Sequence, residues 1–431
     1  MSPELLGIIG VILLIVMIGM RVWIGAALGI IGFVGVYLMF GWTGAMGVVV
    51  NAPFVQLDNY TTTAIPMFTV MGMIIAESDI GRNLFDFANK FLGRRTGGVA
   101  SATVVASGFM GAITGSDNVA CVIMSKLALP ELKRLNYADS LATASVAAGA
   151  PLAILIPPSM AFIMYGMLME QSVGKLFMAG ILPGILVVIA FVIAITISCM
   201  KNPSLGPKGE VYTLNEKLAS VKGIVPIVIL FLIVLGGIYL GICTPTEAGA
   251  LGTLGAFVIA LVGRQLSFKK INVILVESVL AVGFVMFMLV GTFVFIKFIT
   301  LTKLPFMITT FIMGLNVPPF MILFFVAIMY VILGMLMPQI PMMILTVPLL
   351  TPAMMALGFD AIWFGVFMVL MMTLGAISPP IGMDCFIVSG LSGVPVSTIY
   401  RGVWPFIFAD LVVILLISLI PQIVLWLPSL M

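Results

Sequence analysis

Long apolar runs separated by short polar or Pro/Gly-rich breaks make up nearly all of the chain, and their lengths predict helices that cross a lipid bilayer. The runs fall near 5–20, 24–40, 64–80, 139–170, 176–200, 224–241, 246–263, 279–299, 361–393 and 402–427, which makes ten crossings. Two further apolar stretches, about 98–132 and 317–357, are interrupted midway by Thr114-Gly-Ser-Asp-Asn118 and by Met337-Pro-Gln-Ile-Pro341. Each is best read as a re-entrant helical hairpin. Stretches 81–96 and 264–278 mix charges with Phe, Leu and Ile, as short amphipathic helices at the membrane interface do. Residues 201–222 form the longest polar segment, a linker that divides the chain almost in half.

The two halves repeat. Pro130, Pro157, Pro158 and Pro183 are each followed 222 residues later by a proline, at Pro352, Pro379, Pro380 and Pro405, and Gly180/Gly402 keeps the same register. Residues 1–200 and 223–431 then each hold five crossings and one hairpin, with a broken span at about 139–170 in the first and 361–393 in the second. An odd number of crossings makes the second copy enter from the opposite face. Inverted repeats of this kind belong to secondary transporters, whose substrate and ion sites lie at mid-membrane in discontinuous helices.

Composition agrees: 62% of the 431 residues are hydrophobic and 8% charged, which excludes a soluble domain of any size. With the N-terminus outside, the predicted spans place 16 of the 19 Lys and Arg on the cytoplasmic side, leaving only Lys175, Lys297 and Lys303 outside. Short cytoplasmic loops collect basic residues in this way, so both termini are expected to be periplasmic. The first run lacks a basic leader and a small-residue cleavage site, so it is read as a retained helix. There is no histidine, and Cys121, Cys199, Cys243 and Cys385 show no ligand or redox spacing, which argues against haem, zinc and dithiol chemistry. The net charge of +3 does not suggest nucleic-acid binding. No Walker sequence is present. The 33 methionines are read as adaptable packing. Glu77 and Asp79, close to Arg82, suggest an interfacial ion pair, and Glu247 is placed to cap a span that starts after Thr244.

Irregular backbone is tolerated within a bilayer only where protein or a watery cavity satisfies the freed peptide groups. Four such places are predicted: the hairpin tips at 111–118 and about 334–339, and the breaks at 149–158 and 375–382. Free carbonyls there suit a bare cation such as sodium, and helix N-termini offer N–H groups to an anionic substrate. The candidate sodium sets are Gly111, Thr114, Gly115, Ser116, Asn118, Gly149 and Pro157 in the first half, and Gly334, Met337, Gly375, Ser378 and Pro379 in the second. The candidate substrate set is Ser116, Asp117, Pro158, Ser159, Pro338, Pro380, Gly382 and Asp384. An acidic residue in a span is functional by default.

Several stretches, Ile65-Pro-Met-Phe68, Asn83-Leu-Phe-Asp-Phe-Ala88, Gly111-Ala-Ile-Thr-Gly-Ser116, Ile156-Pro-Pro-Ser159, Gly174-Lys-Leu-Phe-Met-Ala-Gly180, Thr244-Pro-Thr-Glu247, Leu333-Gly-Met335 and Pro379-Pro-Ile-Gly382, run through most of the chain. In them the sequence resembles the large membrane subunit, DctM type, of the tripartite ATP-independent periplasmic (TRAP) transporters. The resemblance implies an all-α polytopic protein of the bacterial inner membrane, a sodium-driven importer of organic acids that works by an elevator mechanism with scaffold and transport domains. It also implies two partners, a small four-helix membrane subunit of the DctQ type and a periplasmic substrate-binding protein of the DctP type, in addition to membrane lipid. The chain departs from the family pattern at Asp117, Pro338, Met371, Ser378 and Asp384. Rival readings are a stand-alone sodium-carboxylate symporter or ion exchanger of related fold, and a membrane-embedded enzyme or scaffold.

Overall fold

A computed structural model describes residues 2–315 and 317–431; Met1, where the first half of the sequence begins, lies outside them. The described residues are helical almost throughout, with no strand. The first half runs α1 (Pro3–Gly19), α2 (Ile24–Leu57), α3 (Ala64–Ala76), α4 (Ile80–Leu92), α5 (Gly98–Thr114), α6 (Asp117–Arg134), α7 (Asp139–Gly149), α8 (Leu152–Leu155), α9 (Met160–Leu168) and α10 (Val173–Lys201). The second runs α11 (Leu214–Tyr239), α12 (Pro245–Val262), α13 (Phe268–Leu301), α14 (Leu304–Gly314), α15 (Pro319–Leu336), α16 (Gln339–Ala356), α17 (Ala361–Ile377), α18 (Met383–Ser392), α19 (Val396–Leu419) and α20 (Gln422–Leu425). Among the described residues, eight helices are long and apolar enough to cross a membrane, or ten if each of two bent pairs, Tyr60–Ala76 with Ile80–Leu92 and Asp139–Leu155 with Met160–Leu168, is one span; the eight include α15 and α16, the arms of the second predicted hairpin, whereas α1 and α17, at predicted crossings, are shorter.

The helix boundaries recur at the proline offset. Helices α6 and α16 begin and end 222 residues apart, and the kink in α2 at Gly41, with φ +69°, corresponds to Gly263 at the end of α12. Three elements differ from the sequence reading. Helix α2 continues past Gly41 to Leu57, the stretch 264–278 merges with the following span into the 34-residue α13, and α14 forms where no element was expected. The offset explains them, since 42–57 matches the start of α13, and α4 matches α14. Amphipathic pattern alone sees a surface helix but not whether it fuses with the span beside it.

Local chemistry fixes several starts. Thr213 with Glu216 and Thr244 with Glu247 form capping boxes in which each partner satisfies the other's backbone N–H, and Pro245 takes the first helical position of α12. The linker is not a free loop: Gly97 N donates to Gly206 O (2.8 Å), Gly209 N to Gly93 O (2.9 Å) and Ala138 N to Leu205 O (3.0 Å), which dock it across the foot of α5 and α6. Arg134 bridges Glu131 (2.7 Å) and Glu210 (2.8 Å), and its guanidinium holds the Glu210 carboxyl below the usual range. The ion pair expected among Glu77, Asp79 and Arg82 does not form. Lys270 instead donates to the Glu77 carbonyl (2.8 Å) and Gln265 accepts from the Asp79 amide (3.1 Å), so backbone groups at the end of α3 and the start of α4 take the partners.

The two halves interlock. Helix α6 packs on α18, and its counterpart α16 packs on α9; likewise α7 packs on α19 and α17 on α10. Each half thus supplies the surface that the other half's hairpin and broken helix bury against. A separate group of crossings pairs α2 with α13 and α3 with α12. Within each half the hairpin's first helix lies against the broken helix: α5 on α8 and α15 on α17. These contacts reach backbone distance. A Cβ on Gly111 would overlap Ala153 Cα, and one on Gly334 would stand 2.8 Å from Gly375 Cα. Gly375→Val is therefore expected to cost about 1–3 kcal/mol by forcing the helices apart, read as a lower unfolding temperature of the purified chain in detergent. Gly283→Val, where a side chain would meet nothing within 4 Å, is expected to lack this loss.

Candidate ion and substrate site

Both hairpin tips end inside the molecule. Helix α5 stops at Gly115, which takes φ +61°, and α6 restarts after the extended Ser116; in the second hairpin, Met337 and Pro338 are extended between α15 and α16. The tips converge on one cavity of about 390 Å³, lined by Thr114, Gly115, Ser116 and Asp117 from the first and by Pro338 and Gln339 from the second. The Gln339 side chain lies beside the Asp117 carboxylate. Its wall carries Met73, Met160, Met288 and Phe284, and Asp117 is the only charged residue among those that line it. Two helix N-termini, those of α6 and α16, open on this space. Each carries about half a positive charge, so the cavity favours an anionic group near the tips, while Asp117 offsets part of that field.

Prolines shape the breaks beside the tips. In the first, the carbonyl of Ile154 has prolines three and four residues ahead, Pro157 and Pro158, so no peptide N–H of the next turn can reach it. The Ser159 hydroxyl donates to it instead, and the same oxygen caps α9 at Phe162 N (3.4 Å). In the second break the matching carbonyl is that of Ala376, with Pro379 and Pro380 ahead. Ile381 stands at the position of Ser159, so the corresponding hydroxyl is missing. Gly382 folds back over this group with φ +47°; a Cβ there would lie 3.3 Å from Ala376 O and 3.0 Å from Ser378 O. Tyr400 donates its hydroxyl to the carbonyls of Pro380 and Ile381, the latter at 2.9 Å. The second break thus gathers carbonyl oxygens around a glycine, and the Ala376 oxygen has no helical donor available.

The hydroxyls nearby keep lone pairs for a cation. Ser378 Oγ donates back to Leu374 O (2.7 Å) and Thr114 Oγ1 to Met110 O (3.0 Å), bonds that use only their protons. These oxygens suit an alkali ion better than a transition metal, and no group of three His, Cys, Asp or Glu able to hold a metal occurs among the described residues.

A family model described as "Tripartite ATP-independent periplasmic transporter, DctM component" matches residues 11–423. The chain belongs to this DctM family. It is 32% identical over 90% of its length to the C4-dicarboxylate TRAP transporter large permease protein DctM of Pseudomonas aeruginosa, covering 93% of that protein. It is 30% identical over 87% of its length to the sialic acid TRAP transporter large permease protein SiaM of Vibrio cholerae, covering 87% of it. Its fold is similar to that of the YdaH transporter of Alcanivorax borkumensis, with a TM-score of 0.61 at 12% identity, covering 100% of this chain and 98% of that one. The two curated relatives are named as transporter permeases, and this DctM chain is a transport subunit and not an enzyme.

In this DctM chain the candidate residues separate into groups. Thr114, Gly115, Ser116, Asp117 and Pro338 line the tip cavity, and Asn118 stands exposed at its rim. Gly115 also abuts the first break, since a Cβ there would lie 3.3 Å from Pro158 O. Gly111, Gly334 and Gly375 serve the close helix crossings, and Gly149 packs against Ser107. Met337 is buried at the second tip. Pro157, Pro158 and Ser159 form the first break, and Ser378, Pro379, Pro380 and Gly382 the second; none of these lines the cavity. Asp384, fully buried at the start of α18, does not line it either. Sequence reasoning missed Gln339 and Tyr400. The repeat pointed to Gln339, which stands 222 residues after Asp117, but the position matching Tyr400 is Met178, so nothing in the register marked that tyrosine. Ser159→Ala is expected to leave the Ile154 carbonyl without a donor and to destabilise the chain by about 1–3 kcal/mol, measured as a drop in the detergent unfolding temperature.

Proposed function

We propose that this chain is the transport subunit of a sodium-driven TRAP importer that carries an organic acid from the periplasm to the cytoplasm. The observation that supports this reading most directly is the meeting of both hairpin tips at one cavity, next to proline breaks that leave carbonyl oxygens without peptide donors. A bare cation supplies what such oxygens lack, and the helix N-termini at the tips supply what a carboxylate seeks. Sodium and the solute anion then stabilise each other across the tips, which ties the two in one cycle.

In this reading the copies are inverted, each hairpin enters the bilayer from its own side, and both termini are periplasmic. The interlocked body of hairpins and broken helices moves as the elevator, against a scaffold that includes the α2–α13 and α3–α12 pairs. A small DctQ-type membrane subunit braces that scaffold in the inner membrane, and a DctP-type binding protein delivers the solute. The relatives named for C4-dicarboxylate, sialic acid and 2,3-diketo-L-gulonate favour an organic acid as cargo.

Reconstituted in liposomes with its small subunit and binding protein, the chain is expected to accumulate solute only under an inward sodium gradient. Uptake that persists when an ionophore collapses that gradient would refute the coupling. Ile381→Ser places a hydroxyl where Ser159 serves the first break; by satisfying the Ala376 carbonyl it is expected to raise the half-saturating sodium concentration about three- to tenfold, the worth of one hydrogen bond. An unchanged sodium dependence removes that carbonyl from the ion site.

A further inference from the structure

Asp384 is the most isolated charge-bearing group near the site. It has 0% exposed surface, and neither carboxylate oxygen has a hydrogen-bond partner. Around it, α6 contributes Asp117 and Cys121, and Cys385 follows on α18 itself. Of the other elements packed on α18, α17 has no titratable side chain, α7 begins with the exposed Asp139, and α19 carries the exposed Arg401, the buried Asp410 and the part-buried Tyr400, whose hydroxyl is engaged by Pro380 and Ile381. The carboxyl that faces Asp384 is that of Asp117.

A carboxylate so enclosed must be neutralised where it stands. The adjacent groups include the Cys121 and Cys385 thiols, which are poor ligands for an alkali ion, and no hydroxyl or amide is hydrogen-bonded to its oxygens. A proton is the cation that fits. A route for it exists on α6: Asp117, Cys121 and Ser125 follow at four-residue spacing on one face. Asp117 opens on the tip cavity, whereas Ser125, its hydroxyl also without a partner, lines a second crevice at the hairpin foot with Lys133, Asp139 and Ser392.

We propose that Asp384 is a proton-binding site of the transport body, set against the Asp117 carboxyl and exchanging with the hairpin foot along the Cys121–Ser125 face of α6. The step is a simple protonation: an O–H bond forms at the Asp384 carboxylate as one O–H bond of a hydronium ion at the foot breaks, leaving water there. Its transport consequence, that uptake responds to pH on the side where the foot opens, rests on the function proposed above.

The test uses the full-length chain reconstituted in lipid at neutral pH, with infrared spectra compared between H₂O and D₂O. A protonated carboxyl has a C=O stretch, shifted by deuterium, that a carboxylate lacks. Asp410 on α19 is also buried with both oxygens unpartnered, so all spectra are taken in an Asp410→Asn background to follow one group. The band is expected in that background, to persist at a displaced frequency with Asp117→Asn, and to vanish when Asp384→Asn is added to Asp117→Asn. Gel filtration and a cooperative melt identify the folded variants. Absence of the band from the background protein, its loss in folded Asp117→Asn, or its survival in the folded chain carrying both Asp117→Asn and Asp384→Asn would each overturn the assignment. In proteoliposomes, uptake by Asp384→Asn is expected to lose its dependence on internal pH, and a retained dependence would refute the transport role. A chain that shows the band but transports nothing would refute the proposed function and leave the proton site standing.

Discussion

A peptide carbonyl inside a membrane protein needs a donor, and a proline pair ahead of it takes away the two that a helix would provide. Much of the site's form follows from that constraint. It breaks two helices at matching places, and in the first copy it is answered from within the chain by Ser159. In the second copy the same place carries Ile381, so the chain answers only in part, with Tyr400 holding the two carbonyls that follow. Two copies with nearly the same backbone therefore differ in what they leave unsatisfied. A duplicated fold can in this way divide its work, one break serving as a fixed joint and the other remaining receptive.

The crossing of the halves has a second effect. Because α6 lies on α18 and α16 on α9, neither hairpin has its full set of neighbours without the other copy. The close glycine contacts, Gly111 with Ala153 and Gly334 with Gly375, fix each hairpin to its own broken helix at backbone distance. The tips then stand opposite each other with little freedom to drift. A cavity built between them inherits that rigidity at its base.

Much of this was legible in the sequence. Apolar run length located most of the long helices, though not which of them are long enough to cross, and proline register located both breaks, because those signals rest on the chain's local chemistry. Residues whose roles depend on a distant partner were harder. Gly375 reads as a free-carbonyl position but is required by the approach of Gly334, and Ser159 reads as a solute ligand but turns inward to Ile154. Helix α14 and the fusion of α13 escaped because amphipathic spacing does not tell where a surface helix joins its neighbour. The fold itself is less demanding than these details: the YdaH transporter keeps a similar shape at 12% identity.

The methionines of the cavity wall bear on selectivity. Met73, Met160 and Met288 present unbranched thioethers with several rotatable bonds, while the base is set by helix ends that cannot shift independently. Such a chamber conforms to outlines of many kinds yet insists on where a guest puts its charge.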